Sequence, residues 1–122
     1  NATGAANGQT VTFAGAIASV GDTDWYSFNV AAGTSPTLLA TTYGTPGNHS
    51  SCNGDTKLYL VDSMGSVLVS DDDDGNGYCS FIDGTGSDTN AANLSPGMYF
   101  IRVEHWNNSG TVSSYYLDIE LR

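Results

Sequence analysis

The feature that most constrains this chain is strict two-residue alternation, which recurs in several short runs and is never replaced by a helical period. In "DWYSFNV", Tyr26, Phe28 and Val30 fall on one side and Trp25, Ser27 and Asn29 on the other. Successive side chains of a strand point to opposite faces, so the first set is expected to look into a core. "MYFIRVEH" repeats the pattern, with Tyr99, Ile101 and Val103 inward and Met98, Phe100, Arg102 and Glu104 outward. Leu117, Ile119 and Leu121 alternate with Tyr116, Asp118 and Glu120 as a third such row. Phe100 is thereby an aromatic ring on a polar face, and it calls for a partner.

Gly, Asn, Asp and Ser clusters separate these runs, which places strands near residues 10–18, 24–30, 37–43, 57–62, 66–70, 78–82, 98–105 and 114–121. No segment repeats every 3.6 residues, so helix is expected to be nearly absent. Eight short strands at this spacing predict an all-β fold, an antiparallel β-sandwich with a jelly-roll or Greek-key path. At 122 residues the chain makes a single domain, residues 1–122, and buries roughly two thirds of its unfolded surface without help from a cofactor. Two turns are legible in advance. "VDSMGS" reads as a hairpin with Gly65 supplying positive φ, and Pro96-Gly97 feeds the strand that follows.

Charge narrows the partners. Three basic residues, Lys57, Arg102 and Arg122, stand against thirteen acidic ones, a net charge of −10 that would repel a phosphate backbone. Nucleic acid is excluded as a partner. No run approaches the ~20 apolar residues of a membrane span, so none is expected. The chain opens at Asn1 without Met or a signal segment, which suggests a processed or excised piece. Its two cysteines, in a Lys-poor chain rich in Asn, Ser, Thr and Gly, point to an oxidising compartment and a Cys52–Cys79 disulfide, with two buried free thiols as the alternative. Such a bridge would contribute roughly 3.6 kcal/mol through the closed loop. The segment 43–55 is either a loop pinned by that bridge or a recognition loop.

Residues 70–83, "SDDDDGNGYCSFID", hold the densest chemistry. Asp72, Asp74, Asn76, Gly77 and Asp83 satisfy D-x-D-x-N-G-x5-D, the spacing of a twelve-residue calcium loop with Asp at its last position. Flanking helices are lacking, so an EF-hand is ruled out, and Asp83 lies too far along a strand to close the same sphere. Two readings remain. One is a solvated turn whose Asp side chains cap backbone N–H groups. The other is a Ca²⁺ seat built from Asp71, Asp72, Asp73, Asp74 and Asn76 with backbone carbonyls, which would relieve the repulsion among adjacent carboxylates.

Catalysis has little support, and no enzyme is expected. The imidazoles, His49 and His105, occupy a Gly/Asn/Ser loop and a strand end, and neither sits beside a Gly-flanked nucleophile. The carboxylates gather in one turn instead of facing each other across a cleft. His49 with Cys52 also falls short of the four ligands zinc requires. Sequons at Asn1, Asn48, Asn93 and Asn107 carry little weight in so Asn-, Ser- and Thr-rich a chain.

The elements "GDTDWYSFNVAAG", "DTKLYLVDSMGSVLVSDDDDG", "LSPGMYFIRVEH" and "YYLDIEL", in that order, resemble the bacterial pre-peptidase C-terminal domain, kin to the collagen-binding domains of clostridial collagenases. The resemblance spans nearly the whole chain. It implies a secreted, extracellular or cell-surface, non-catalytic β-sandwich appended to a hydrolase, with Ca²⁺ held in some members through Asp residues ahead of the "DWYSF" strand. Asp24 matches that group and Asp22 lies near it, whereas the acidic leader of the family is missing from "NATGAANGQ". Collagen-binding relatives carry an aromatic row on the strand after "PG". Here Phe100 and Trp106, with His105 beside them, keep candidate ligand positions, and Arg102 and Glu104 interrupt the row. Collagen is therefore not expected, and an extracellular polysaccharide or another protein is, since sugar rings stack on aromatic faces.

The function expected is a secreted accessory module that binds Ca²⁺ and assists folding, export or substrate adhesion of an extracellular hydrolase. One alternative is a carbohydrate-binding module in its own right. Another is a subunit of a surface fibre, in which residues 10–17 pair with a neighbouring copy's sheet, because open edges invite such exchange.

Overall fold

A computed structural model describes residues 10–45, 52, 54–72, 79–107 and 109–122. Eight strands follow in order: β1 Thr10–Ile17, β2 Thr23–Val30, β3 Leu38–Tyr43, β4 Thr56–Asp62, β5 Val67–Asp71, β6 Phe81–Ile82, β7 Gly97–His105 and β8 Val112–Leu121. They form two four-stranded sheets, ordered β1-β8-β3-β6 and β2-β7-β4-β5, with every pairing antiparallel. Most connections cross from one sheet to the other, and only β4 and β5 are joined as a hairpin. This is the jelly-roll arrangement that the strand spacing predicts. No helix among the described residues is long and apolar enough to cross a membrane.

The alternation places the core as expected. Tyr26, Phe28, Val30, Tyr99, Ile101, Val103, Leu117, Ile119 and Leu121 are all buried, and Leu38, Leu58, Leu60 and Ile82 complete the layer between the sheets. Each such side chain contributes about 1.5–3 kcal/mol by leaving water. Phe28 and Tyr99 stack at 5.6 Å between centroids, and the Tyr99 hydroxyl donates to the Ser95 carbonyl at 2.8 Å, so its polar end is satisfied.

Gly65 takes the positive φ expected of it, 86°, in the β4–β5 turn. One carboxylate oxygen of Asp62 accepts the backbone N–H groups of Met64 and Ser66, at 3.0 and 2.9 Å, and so fixes the turn from inside. The fibre alternative assigned β1 to a neighbour. Here β1 pairs along its length with β8 of its own chain, from Thr10 opposite Glu120 to Ile17 opposite Val112.

Two expectations need correction, and one short element is added. Of the strand read at residues 78–82, Tyr78 lies outside the described residues and the rest is limited to Phe81–Ile82, because Cys79 and Ser80 lie outside the ladder and the Ser80 side chain is drawn into a buried hydroxyl cluster. Its Oγ donates to the Thr56 carbonyl at 2.7 Å, and the Thr42 hydroxyl accepts the Ser80 N–H at 2.9 Å. A six-residue 3-10 helix, Gly86–Ala91, which periodicity did not announce, packs along the outer edge of β5, where Asn90 donates to the Leu68 carbonyl at 3.1 Å. Trp106 lies in a turn beyond the end of β7 and does not continue its outward row.

Candidate functional site

Register decides which outward side chains meet. In sheet β2-β7-β4-β5, Trp25 lies opposite Arg102, and Arg102 opposite Tyr59. One row below, Thr23, Glu104 and Lys57 align, and one row above, Ser27, Phe100 and Val61. The outer face therefore gathers aromatic rings from three strands around the one arginine of β7.

The Arg102 guanidinium is stacked between two rings, its carbon 3.8 Å from the Tyr59 centroid and 5.5 Å from that of Trp25. Arginine suits this position because its flat, weakly hydrated cation tolerates a ring on each side. Glu104 completes the cluster. Its carboxylate stands 3.6 Å from Arg102 Nε and accepts the Tyr59 hydroxyl at 2.6 Å. Lys57 Nζ lies 5.1 Å from the Tyr59 centroid. The charges that look in sequence like interruptions of an aromatic row are thus its mortar, and the row runs across the strands instead of along β7.

Phe100 finds the partner its position demands. Its ring meets Trp25 edge to face, with centroids 6.3 Å apart and planes at 80°. Between these rings and the β4–β5 turn lies an open groove of about 180 Å³, lined by Trp25, Phe100, Val61, Asp62, Ser63 and Gly65. Trp25 remains 38% exposed, although it is large and apolar. Of the three ligand candidates read from sequence, only Phe100 lines this groove. His105 is half-buried at the end of β7, and Trp106 lies past it with its ring 6.3 Å from the imidazole. Trp25 and Tyr59 are outward by periodicity alone, but nothing in one strand reveals that they flank the same arginine.

The acidic candidates divide differently. Asp24 and Asp71 both turn into the sandwich: Asp24 Oδ2 accepts the Tyr115 hydroxyl and Asp71 Oδ2 accepts the Phe81 N–H, each at 2.7 Å. Asp22 stands in the turn before β2, its N–H bonded to the Ser19 carbonyl at 3.1 Å. The Asp72 carbonyl lies 2.9 Å from the Ser80 hydroxyl and competes with the Thr56 carbonyl for its proton, which brings the start of the acidic turn against the core. Asp83 caps the Thr85 N–H at 2.9 Å and so belongs to the next turn. Asp73, Asp74 and Asn76 fall outside the described residues, as does His49. Among the described residues no three His, Cys, Asp or Glu side chains come together as a metal-binding group.

Behind Asp24, the hydroxyls of Tyr115 and Tyr26 are 2.7 Å apart. Burial pushes both phenols above their ordinary range, Tyr115 far above it. Cys52 and Cys79 are joined as expected, with Cα atoms 5.6 Å apart, within the ordinary reach of a disulfide.

The model of one family, described as the bacterial pre-peptidase C-terminal domain, matches residues 22–105, which span β2 to β7 and so carry the groove. No curated protein sequence matches the chain. Among solved structures, the chain is similar to the pre-peptidase C-terminal domain of a collagenase from Bacillus anthracis, with TM-score 0.59 and 18% identity over 100% of this chain and 95% of that one. It is also similar to PliG of Aeromonas hydrophila, a periplasmic inhibitor of g-type lysozyme, with TM-score 0.53 and 14% identity over 93% and 86% of the two chains. At these identities the likeness is one of fold.

Proposed function

The chain belongs to the bacterial pre-peptidase C-terminal domain family, and from that premise we propose that it is the accessory module of an extracellular hydrolase, holding the enzyme's polymeric substrate on the outer face of sheet β2-β7-β4-β5. Domains of this family are non-catalytic. The observation that carries the reading is the groove between Trp25 and Phe100, where a tryptophan is kept partly exposed and braced from behind by Arg102. Unfavourable exposure of a large ring, held in one orientation, is what an adhesive surface needs.

A binding role for this face accords with the non-catalytic character of the family. Arg102 is engaged by two rings and a carboxylate. The Cys52–Cys79 bond together with the family supports an oxidising, extracellular location. Retention on insoluble substrates tests the adhesive role: the protein is expected to sediment with a polysaccharide or fibrous protein, and Trp25→Ala is expected to release it. Absence from every pellet would leave only a role in folding or export of the enzyme.

Calcium belongs to this proposal as a stabiliser of the acidic turn, with Asp72, Asp73, Asp74 and Asn76 as the residues to hold it. Adjacent carboxylates in a chain of charge −10 favour a divalent cation, and oxygen donors of this kind select Ca²⁺. Asp24 and Asp71 each accept a hydrogen bond that links the two sheets, so they contribute to such a seat only through their remaining lone pairs.

A further inference from the structure

Resting on the adhesive reading, we propose that the occupant of the Trp25–Phe100 groove is an uncharged polysaccharide, bound one pyranose ring at a time against Trp25.

Size is the first argument. At about 180 Å³ the groove is smaller than the ~300 Å³ at which pockets for whole drug-sized ligands begin, so it accommodates one unit of a longer molecule. It is also open sideways, because Trp25 lies on β2, an edge strand of the sheet, and among the described residues no strand pairs beyond it.

The lining is amphipathic in the way a sugar ring is. Trp25 and Phe100 form two walls at nearly a right angle and Val61, opposite Phe100 on β4, adds a third apolar side chain, which suits the C–H faces of a pyranose. On the far side, Asp62 and Ser63 offer acceptor and donor groups to its hydroxyls. The Asp62 carboxylate is pre-oriented, since Oδ1 is already held by the Met64 and Ser66 N–H groups.

Charge separates this occupant from its competitors. A uronate, a sulfated sugar or an acidic peptide would meet Asp62 at the rim and a chain of net charge −10 behind it. The one cation beside the groove cannot answer them, because Arg102 is stacked between Trp25 and Tyr59 and compensated by Glu104. A protein rod would need a longer apolar track than this one, which ends one row from Trp25 at Thr23, Glu104 and Lys57.

The test is sedimentation of the whole chain with cellulose, chitin, curdlan and mannan, alongside alginate beads and fibrous collagen. Retention on at least one of the four neutral glycans is expected, weakened at least tenfold by Trp25→Ala and unchanged by Tyr116→Ala on the opposite sheet. Circular dichroism of both variants establishes that they fold. In a Trp106→Phe background, where Trp25 is the remaining indole, a soluble oligomer of the retained glycan is expected to shift the emission maximum. Retention on none of the four glycans overturns the proposal, as does retention that Trp25→Ala leaves intact in a folded variant. Binding to collagen or alginate alone would also overturn it while leaving the adhesive role standing.

Discussion

Asp24 and Asp71 occupy one row of sheet β2-β7-β4-β5, at its two opposite edges, joined through Val103 and Leu58. Three strand spacings, about 14 Å, part them. Each carboxylate crosses the sandwich to the other sheet, Asp24 to the Tyr115 hydroxyl on β8 and Asp71 to the Phe81 N–H on β6. The sandwich is stapled along both edges by groups whose residue type, read from sequence alone, suggests cation ligands.

Asp71→Ala is expected to destabilise the fold by about 1–3 kcal/mol, because the Phe81 N–H loses its charged acceptor. Asp71→Asn keeps an acceptor oxygen and should lose roughly half as much. Urea unfolding measures both, and an Asp71→Ala midpoint equal to that of the unsubstituted protein would refute the staple.

Alkaline titration should separate the tyrosines. Burial raises the Tyr26, Tyr43 and Tyr115 phenols above their ordinary value near 10. In the unfolded chain these groups release protons near pH 10, while in the folded chain they retain them. Stability is therefore full below pH 10 and declines as pH rises beyond it. Absorbance of tyrosinate is expected to rise in two stages, the second coincident with loss of the β-sheet signal in circular dichroism; a single stage accounting for all seven tyrosines in the folded protein would contradict this.

Gly15→Ala tests the packing behind Asp24. A methyl group at Gly15 would lie 2.5 Å from the Tyr115 hydroxyl oxygen and 2.7 Å from that of Tyr26. Relief requires the two phenols to part, so a loss of about 1–3 kcal/mol is expected. Tyr115→Phe in the same background should recover part of it, and a further additive loss would show that the clash lies elsewhere.

Removal of calcium addresses the acidic turn. EGTA is expected to lower the melting temperature and Ca²⁺, but not Mg²⁺, to restore it, because Mg²⁺ sheds its water reluctantly. Asp72→Asn combined with Asp74→Asn should abolish the difference. An EGTA-treated sample that melts with the untreated one would remove calcium from the proposal.

Arg102 shows how far one strand can be read. Its outward direction follows from Ile101 and Val103 beside it, and so does the conclusion that it shares a face with Phe100. That it unites Trp25 with Tyr59 does not follow, because those rings arrive from strands distant in the chain. A one-residue slip of either partner would send its ring into the core. The acidic turn was legible as a concentration of charge. Which of its members face inward was not, since Asp71 ends β5 and takes its direction from the ladder with Leu58.

Local order alone thus determined the class of fold, the inward rows, the Gly65 turn and the pair of cysteines, because each depends on neighbours two to four residues away or on composition. Only the tertiary structure decided that Asp24 and Asp71 join the sheets and that Trp25, Phe100, Arg102 and Tyr59 share one surface. Those relations depend on strand order and register, which arise when two sheets of alternating faces choose the single alignment that buries every apolar row at once.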